Sequence, residues 1–405
     1  MKQSKEFDII IWGASGFTGR LVTLYLFDKY GATSNLKWAM GGRNLSKLEK
    51  IRDEVADKNI PIIIADSNNK ISLINMAKRT KVICTTIGPY AKYGSKLVEA
   101  CIESHIHYCD LAGEVQWIHK MINTHHEEAK NNGSKIVHAC GFDSIPSDMG
   151  VYFIQREAKA KRGIIAKKIK MRVAAISGGI SGGTYASLNL FLEEAQKNKL
   201  VYKIITNPYS LNPINEQSGE DKLDLKSVVF DKESQSWIGP FIMASINTKI
   251  VRRSNALISY KYGRKFRYDE ATIFGKGFLG RIKGILSTIS IGLIMSAKHG
   301  SSLKKCFDFL FPNPGEGPSK KRIENGFYNL IFYITLEDGS SAFAKVTGDM
   351  DPGYGSSSKM LAESAVCLAK DRLSNNSGIL TPSSAMGYHL LKRLEENAGL
   401  TFSFK

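Results

Sequence analysis

The start of the chain constrains the fold more than any other segment. A β-branched run, Ile9, Ile10 and Ile11, leads into the glycine-rich turn at 13–20 and then into an apolar helical stretch at 21–27. Strand, glycine turn and helix in this order can hold a dinucleotide pyrophosphate, because the helix N-terminus offers free N–H groups to the anion. The sequence therefore predicts nucleotide binding here, with an ordinary strand-to-helix turn as the alternative.

The glycines of this turn have separate roles in such a site. Gly13 permits the tight turn, Gly16 lets the backbone approach the phosphates, and Gly19 lets the helix pack closely on the strand. The residues that we expect to contact the pyrophosphate are Gly13, Ala14, Ser15, Gly16, Phe17, Thr18 and Gly19.

Short apolar strands alternate with helical segments through the first 140 residues. The predicted strands are 8–12, 37–41, 60–65, 82–86, 107–110 and 135–139. The helical segments between them complete βαβ units, and right-handed crossovers make these a doubly wound parallel sheet. The predicted fold class is therefore α/β, with an N-terminal Rossmann sheet.

After residue 150 the pattern changes to mixed strands with longer connections. The predicted strands are 169–176, 237–253 with a Gly-Pro break, and the antiparallel pair 327–336 and 341–348 around an Asp338-Gly339 turn. The predicted helices are 185–196, 359–372 and 383–396. This pattern predicts a second, α+β domain. We expect an NADP-binding domain at 1–148, a substrate or dimerisation domain at 149–376, and a C-terminal helical part at 377–405, whose return to the Rossmann domain the sequence leaves open.

The residues at the end of the predicted second strand indicate which of the two nicotinamide cofactors binds. An NAD-selective fold places Asp or Glu there to bind the ribose 2′-hydroxyl, but this chain has Gly42, Arg43 and Asn44. A guanidinium can pair with a 2′-phosphate, so we expect NADP(H); the alternative is a helix-capping loop with a solvated arginine. Asp66, after the third strand, either accepts a hydrogen bond from the adenine amino group or caps the next helix.

The loop after the fourth strand supplies further candidates. Thr86, Gly88 and Pro89 follow that strand, at the edge of the sheet where ligands bind in this fold class. Gly88 lets the chain approach the cofactor ribose, and Pro89 stiffens the turn. Tyr90 and Tyr93 either orient the substrate and donate a proton or form an aromatic wall.

The loop after the sixth strand brings carboxylates and hydroxyls to the same edge. We expect Cys140 and Gly141 to contact the cofactor, and Asp143 and Ser144 to act on the substrate. Asp143 and Asp148 have the alternative role of stabilising the loop and capping the following helix. A nucleophilic Cys140 is disfavoured, because no histidine is placed to activate it and cysteine is usually a core residue.

Charge and cysteine content indicate which other binding partners and which cellular compartment the sequence favours. The 405 residues carry a formal net charge of +18, which reflects a solvated basic surface or attracts anionic lipid or an acylated acidic carrier. No nucleic-acid recognition module is visible, and the scattered histidines and cysteines predict no metal site. Six cysteines without a Cys-x-x-Cys pair, and charges that interrupt any N-terminal apolar core, favour a reducing, cytoplasmic compartment.

Residues 284–297 form the longest uncharged run of apolar character. We expect this run to be too short to span a bilayer, which needs roughly 20 apolar residues. It is either a buried helix or homodimer contact, or a helix that lies on a membrane surface or lines a lipid channel. Basic residues on both sides extend the membrane candidate to 281–305, which would make the protein peripheral to an anionic membrane.

The motifs together resemble those of the saccharopine dehydrogenase-like oxidoreductases, a family that includes the trans-acting enoyl reductases of polyketide lipid synthesis. The resemblance covers nearly the whole chain and rests on residues 13–20, 42–43, 88–94, 108–114, 140–148, 181–184, 314–318, 348–354 and 380–384. It implies a Rossmann domain followed by an α/β domain, binding of NADP(H), and often hydrophobic substrates.

We therefore expect an NADP(H)-dependent reductase that acts on an unsaturated, lipid-like acyl substrate, either small or carrier-bound. The catalytic candidates are Tyr90, Tyr93, Asp143 and Ser144. One alternative is imine reduction of the saccharopine type, which needs arginines around substrate carboxylates and has Arg252 and Arg253 available. The other is a non-catalytic NADP-binding protein at a lipid surface.

Overall fold

The structure is a computed structural model that describes residues 5–32, 35–55, 57–179, 181–297, 301–313 and 315–405. The strands are β1 (Phe7–Trp12), β2 (Trp38–Gly42), β3 (Ile62–Ile64), β4 (Thr80–Thr85), β5 (His107–Cys109), β6 (Lys135–Val137), β7 (Ala166–Ser177), β8 (Val229–Asp231), β9 (Ser236–Gly239), β10 (Arg267–Gly275), β11 (Phe327–Leu336), β12 (Ser341–Gly348), β13 (Gly378–Leu380) and β14 (Leu400–Phe404). The helices are α1 (Phe17–Tyr30), α2 (Leu45–Glu54), α3 (Lys70–Ala77), α4 (Tyr90–Tyr93), α5 (Ser95–Glu103), α6 (Val115–Asn131), α7 (Ile145–Arg162), α8 (Gly182–Lys197), α9 (Lys199–Thr206), α10 (Ala244–Leu257), α11 (Gly277–Ser296), α12 (Ser302–Leu310), α13 (Lys320–Glu324), α14 (Ser357–Lys370) and α15 (Pro382–Glu396).

The first sheet is parallel throughout and has the order β13-β6-β5-β4-β1-β2-β3. All six residues of β1 are buried, as expected of a central strand with helices on both faces. From β1 the chain moves to β2 and β3 on one side and then to β4, β5 and β6 on the other. The reversal between β1 and β4 creates a crevice at their carboxyl ends, and this order confirms the predicted doubly wound α/β fold.

The second sheet is mixed and has the order β14-β12-β11-β7-β10-β9-β8. β7 and β10 are parallel neighbours, and the other pairs are antiparallel. Successive residues of β11 alternate between the core and the outer face, which is the pattern of a sheet with one buried side. The hairpin between β11 and β12 turns at Asp338 and Gly339, as the sequence predicts.

One hydrophobic core joins the two sheets. It runs from β1 through residues of α7, α14 and α15 to β7 and β11. The chain also returns to the first sheet late: α14 packs on β1, β4 and β5, and β13 pairs with β6. β14 then goes back to the second sheet. The segment 357–370 thus packs on the first sheet although it falls within 149–376; the domain limits stay a prediction.

Two predicted elements after residue 236 are wrong in type or length. The segment 237–253 is a strand only up to the predicted Gly-Pro break: β9 ends at Gly239, and the part expected to continue as strand forms α10, which begins at Ala244. Weak alternation is misleading here because α10 is buried on nearly every side, including its polar residues. The apolar run at 284–297 belongs to α11, which begins at Gly277 and has 20 residues, so the prediction that it is too short to span a bilayer is also wrong.

Candidate cofactor and substrate site

The glycine turn adopts the geometry that a bound pyrophosphate requires. Gly13 has φ +94°, and its N–H donates to the carbonyl of Gly41 at 2.9 Å. A side chain on Gly19 would collide with the carbonyl of Gly13, so this third glycine lets α1 approach the turn. Gly16 is the N-cap of α1 and has no side chain to satisfy the first N–H groups, which leaves them available to an anion.

Late segments of the chain cover this turn. The ring of Phe17 meets the ring of Tyr354 edge-on at a centroid distance of 5.3 Å, and Gly317 lies directly against Phe17. The hydroxyl of Tyr354 is 2.7 Å from Thr184 Oγ1 and accepts from the N–H of Ser181. Motifs that are far apart in the sequence therefore converge on the cofactor turn; Pro314, the first residue of the motif at 314–318, lies outside the described residues.

The end of β2 suits a 2′-phosphate. Arg43 is exposed, and it forms no ion pair among the described residues. Asn44 caps α2, since its Oδ1 accepts from the N–H of Lys47 at 3.0 Å and from the hydroxyl of Ser46 at 2.8 Å. The capping role of this loop thus falls to Asn44 and leaves the guanidinium of Arg43 available.

Asp66 is exposed after β3 and accepts from the N–H of Asn68 at 3.0 Å. The cap of α3 is Asn69, whose side chain accepts from the N–H of Ser72 at 3.1 Å. The capping alternative for Asp66 is therefore wrong, and its contact with adenine stays a prediction.

The loop after β4 is tied to the glycine turn and to the second half of the chain. The hydroxyl of Thr86 donates to the carbonyl of Gly13 at 3.3 Å, and Gly88 lies beside Ser187 of α8. Pro89 is the N-cap of the short helix α4. Glu114, which the sequence analysis did not select, accepts from two N–H groups of this helix, at 2.8 Å from Tyr90 and 2.7 Å from the residue after it.

The two tyrosines of this loop differ in accessibility. Tyr90 is buried, its hydroxyl donates to the carbonyl of Thr85 at 3.3 Å and accepts from the N–H of Leu111 at 3.2 Å, and its ring stacks on Trp117. Burial raises the pKa of Tyr90 well above its usual range. Tyr93 is half-buried, and its hydroxyl has no hydrogen-bond partner among the described residues. Tyr90 is thus held in place as part of an aromatic wall, whereas the hydroxyl of Tyr93 can still donate a hydrogen bond.

The loop after β6 carries both a half-buried carboxyl group and a fully buried hydroxyl group. Asp143 is half-buried beside Gly113, and its carboxyl group has no hydrogen-bond partner in the described part of the chain. Burial raises the pKa of Asp143 to about 7. By contrast, the hydroxyl of Ser144 is fully buried and donates to Asn247 at 3.0 Å.

Two other candidates in this loop are interior. Burial raises the pKa of Cys140 well above its usual range, so its thiol does not ionise, and any contact with the cofactor falls to the backbone here and at Gly141. The carboxylate of Asp148 accepts from the hydroxyl of Ser254 and, at 2.8 Å each, from the N–H and hydroxyl of Ser383. Asp148 therefore joins α7 to α10 and to the first turn of α15, whose N-cap is Thr381.

Asp110 is a further structural residue that the sequence analysis did not select. Its carboxylate is fully buried and accepts from Tyr108 at 2.8 Å and from His138 Nδ1 at 2.7 Å. It also accepts from the N–H groups of Ala112 and Ala139. These bonds hold the ends of β5 and β6 in register below the crevice; the motif at 108–114 was the signal in the sequence.

A cavity of about 570 Å³ lies between α6, α8 and α9. It reaches α4 through Ala91, so it is adjacent to the loop that follows β4. Its apolar lining consists of Ala91, Trp117, Leu190, Leu200, Val201 and Ile204. Lys120 and Lys197 are among its polar lining residues, and a hydrogen bond of 2.8 Å from Gln116 to Glu194 joins its two sides.

Arg252 and Arg253 do not line this cavity. Arg252 is buried and pairs with Asp221 at 2.5 Å, and it donates to the carbonyls of Pro208 and Tyr268. Arg253 is buried and donates to the carbonyls of Leu211 and Ile379. Both guanidinium groups therefore serve the interior of the protein.

Comparisons with known proteins agree with this geometry. A family model, the saccharopine dehydrogenase NADP binding domain, matches residues 9–137. The trans-acting enoyl reductase of Mycobacterium ulcerans is 34% identical over 97% of this chain and 96% of its own length. That of Mycobacterium tuberculosis is 34% identical over 96% of each chain. Apo saccharopine dehydrogenase (L-Glu forming) from Saccharomyces cerevisiae shares the fold, with a TM-score of 0.52 and 11% identity over 98% of this chain and 100% of that one.

The protein is an oxidoreductase that binds NADP(H). This class follows from the Rossmann sheet, the glycine turn and the end of β2, where Gly42, Arg43 and Asn44 stand in place of Asp or Glu. The chain belongs to the saccharopine dehydrogenase-like oxidoreductase family, as the motifs predicted.

Proposed function

We propose that the protein uses NADPH to reduce the carbon–carbon double bond of an unsaturated, lipid-like acyl thioester. The observation that carries this proposal is the cavity beside the loop after β4, which has an apolar part formed by six of its lining residues. Its volume of about 570 Å³ lies within the range of small-molecule sites. Its apolar lining suits a hydrocarbon chain, and the relatives named trans-acting enoyl reductase match over almost their full length.

The residues of the site divide between cofactor and substrate. Gly13, Gly16 and the first turn of α1 would hold the pyrophosphate, and Arg43 would hold the 2′-phosphate. NADPH bound there supplies the hydride that the reduction consumes. The product also takes up one proton on the carbon next to the thioester carbonyl. Asp143 suits that task, because a carboxyl group with a pKa of about 7 still holds a proton near neutral pH.

Tyr93 is our candidate for polarising the thioester carbonyl. Its hydroxyl is half-exposed and has no partner among the described residues, so it can donate to an oxygen that gains negative charge during reduction. Tyr90 and Ser144 are less suited to this task, because their hydroxyl groups are buried and already hydrogen-bonded.

The saccharopine-type alternative lacks its expected recognition groups. Carboxylates of an amino-acid substrate call for arginines in the cavity, but Arg252 and Arg253 are buried elsewhere, and the cavity lining within the described residues includes no arginine.

Filling the cavity tests the proposal. Leu190→Trp narrows the cavity, so KM for a long-chain enoyl thioester should rise about tenfold, or ~1.4 kcal/mol. KM for a short-chain enoyl thioester and the affinity for NADPH should stay near wild type. Leu223→Trp, at an exposed leucine outside the cavity, is the matched control. An equal effect of Leu190→Trp on both chain lengths would show that the cavity does not hold the acyl chain.

A further inference from the structure

Helix α11 packs on the second sheet along one side. Gly280 lies against the backbone of Gly275, and Gly284 lies against Val228 and Phe274. One turn later, Thr288 approaches Gly239 of β9. The small residues at 280 and 284 therefore seat the first half of the helix closely on β9 and β10, and this contact fixes which side of α11 faces away from the protein.

The opposite side of α11 is apolar and exposed. Its large side chains are 41% (Ile285) to 74% (Phe278) exposed. They are Phe278, Leu279, Ile285, Leu286, Ile289 and Leu293. At 3.6 residues per turn these positions fall within about 120° of the helix circumference, so they form one continuous face. We call these six residues the apolar face of α11.

The charges of α11 border this face. Arg281 and Lys283 are the charged residues of the helix, both are exposed, and no Asp or Glu occurs between 277 and 296. The helical repeat places Arg281 on one side of the apolar face and Lys283 on the other. An apolar stripe bordered by basic residues is the pattern of a helix that lies in the plane of an anionic membrane.

Length and composition alone would also allow α11 to cross a bilayer. Core helices of globular proteins can be equally long and apolar, but such helices are mostly buried. In α11, 11% of the apolar stretch is buried. Crossing would require α11 to leave β9 and β10 and to expose the packing around Phe274. A helix that stays on its sheet and uses its outer face avoids that cost.

We propose that the apolar face of α11 docks the protein on the surface of an anionic lipid bilayer. The net charge of +18 attracts the whole molecule to such a surface, and the six apolar side chains then enter the boundary between headgroups and acyl chains. A second copy of the chain is the rival occupant, but a two-fold contact would bring two strongly basic molecules together. Docking does not depend on the reaction proposed above, because α11 is separate from the residues of the cofactor turn and the cavity.

Vesicle sedimentation tests this proposal. Wild type should sediment with phosphatidylcholine vesicles that contain roughly 30% phosphatidylglycerol in about 0.05 M salt, and binding should fall at least tenfold in about 0.5 M salt. Ile289→Glu should reduce binding at low salt at least tenfold, and Lys283→Ala should reduce it severalfold. Ile71→Glu, at an isoleucine of α3 that is more exposed than Ile289, should bind like wild type. Circular dichroism and NADPH titration establish that each variant is folded.

Two results would overturn the proposal. In the first, wild type fails to bind anionic vesicles at low salt, or Ile289→Glu binds as well as wild type. In the second, light scattering shows a wild-type dimer that Ile289→Glu converts to a folded monomer while neither form binds vesicles, which would assign the face to a second copy of the chain.

Discussion

At the scale of single residues, burial separates the side chains that can take part in chemistry from those that support the fold. Tyr90, Ser144 and Cys140 all follow strands that end at the crevice, yet each of these side chains is buried. Asp143, Tyr93 and Arg43 keep some exposure. Sequence reasoning selected both sets, because a motif places a residue at the end of a strand without showing which way the side chain points.

The first residue-scale prediction concerns cofactor preference. Wild type should bind NADPH more tightly than NADH. Arg43→Ala should lose much of that preference, about 1.5–3 kcal/mol for a hydrogen bond between charged groups. Titration calorimetry with both cofactors measures the difference, and Lys47→Ala, on the next helix, is the control. Equal affinity of wild type for the two cofactors would contradict the assignment.

The second residue-scale prediction concerns the pH dependence of kcat. Burial raises the pKa of Asp143 to about 7, so the carboxyl group holds its proton below that pH and loses it above. If Asp143 donates the proton, kcat should be level below about pH 7 and fall as the pH rises further. Asp143→Asn should lower kcat at least tenfold and remove this dependence, while NADPH affinity changes little. A wild-type profile that persists in Asp143→Asn would exclude the role.

At the scale of elements, the glycine turn offers a clean test at one of its three glycines. Gly13 has φ +94° and Ile87 against it, and Gly19 has no room for a side chain, so changes at either would strain the fold. Gly16 has φ −78° and is exposed, and an added Cβ would lie 3.3 Å from the carbonyl oxygen of Gly13, so a small shift of the turn accommodates it.

Gly16→Val should therefore weaken NADPH binding more than about tenfold, or ~1.4 kcal/mol, because the side chain blocks the approach of the pyrophosphate to the helix N-terminus. The circular dichroism spectrum should stay near native. Fluorescence titration of NADPH measures the effect, and unchanged affinity would reduce the motif to a structural turn.

The first six strands of the parallel sheet could be predicted because their apolar runs alternate regularly with helical segments, whereas the short edge strand β13, which joins this sheet from far along the chain, was not predicted. α10 could not be predicted, since a helix buried on nearly every side lacks an apolar stripe. The convergence of Thr184, Gly317 and Tyr354 on Phe17 depends on tertiary packing between distant segments. The motifs marked these residues as notable, but their spacing gave no distance between them.

At the scale of the whole molecule, buried hydrogen bonds connect segments that are far apart in the sequence. Asp148 on α7 accepts from Ser254 on α10 and from Ser383 on α15. Burial raises the pKa of Asp148 to about 6, so the folded protein holds a proton here that the unfolded chain releases at lower pH. This contribution to stability therefore declines as the pH rises from about 4 through 6.

Removing this carboxyl group should destabilise the whole protein. Asp148→Ala leaves the buried N–H and hydroxyl of Ser383 without their acceptor, at a cost of about 1–3 kcal/mol, whereas the hydroxyl of Ser254 can still donate to the carbonyl of Ile250. Urea unfolding measures the change in the free energy of unfolding, and Asp53→Ala, at an exposed position on α2, should lie within about 0.5 kcal/mol of wild type. A stability of Asp148→Ala equal to that of the control would show that the link is dispensable.

We propose above that this protein reduces an unsaturated acyl thioester in the cavity beside α4. The most direct measurement follows the absorbance of the reduced nicotinamide while the 405-residue protein meets a long-chain enoyl thioester, its saturated counterpart, or saccharopine-type amino-acid substrates, with mass spectrometry of the products. We predict NADPH oxidation with the enoyl thioester alone, one saturated acyl product for each NADPH consumed. Turnover of the amino-acid substrates alone, or of none of the three, would contradict it.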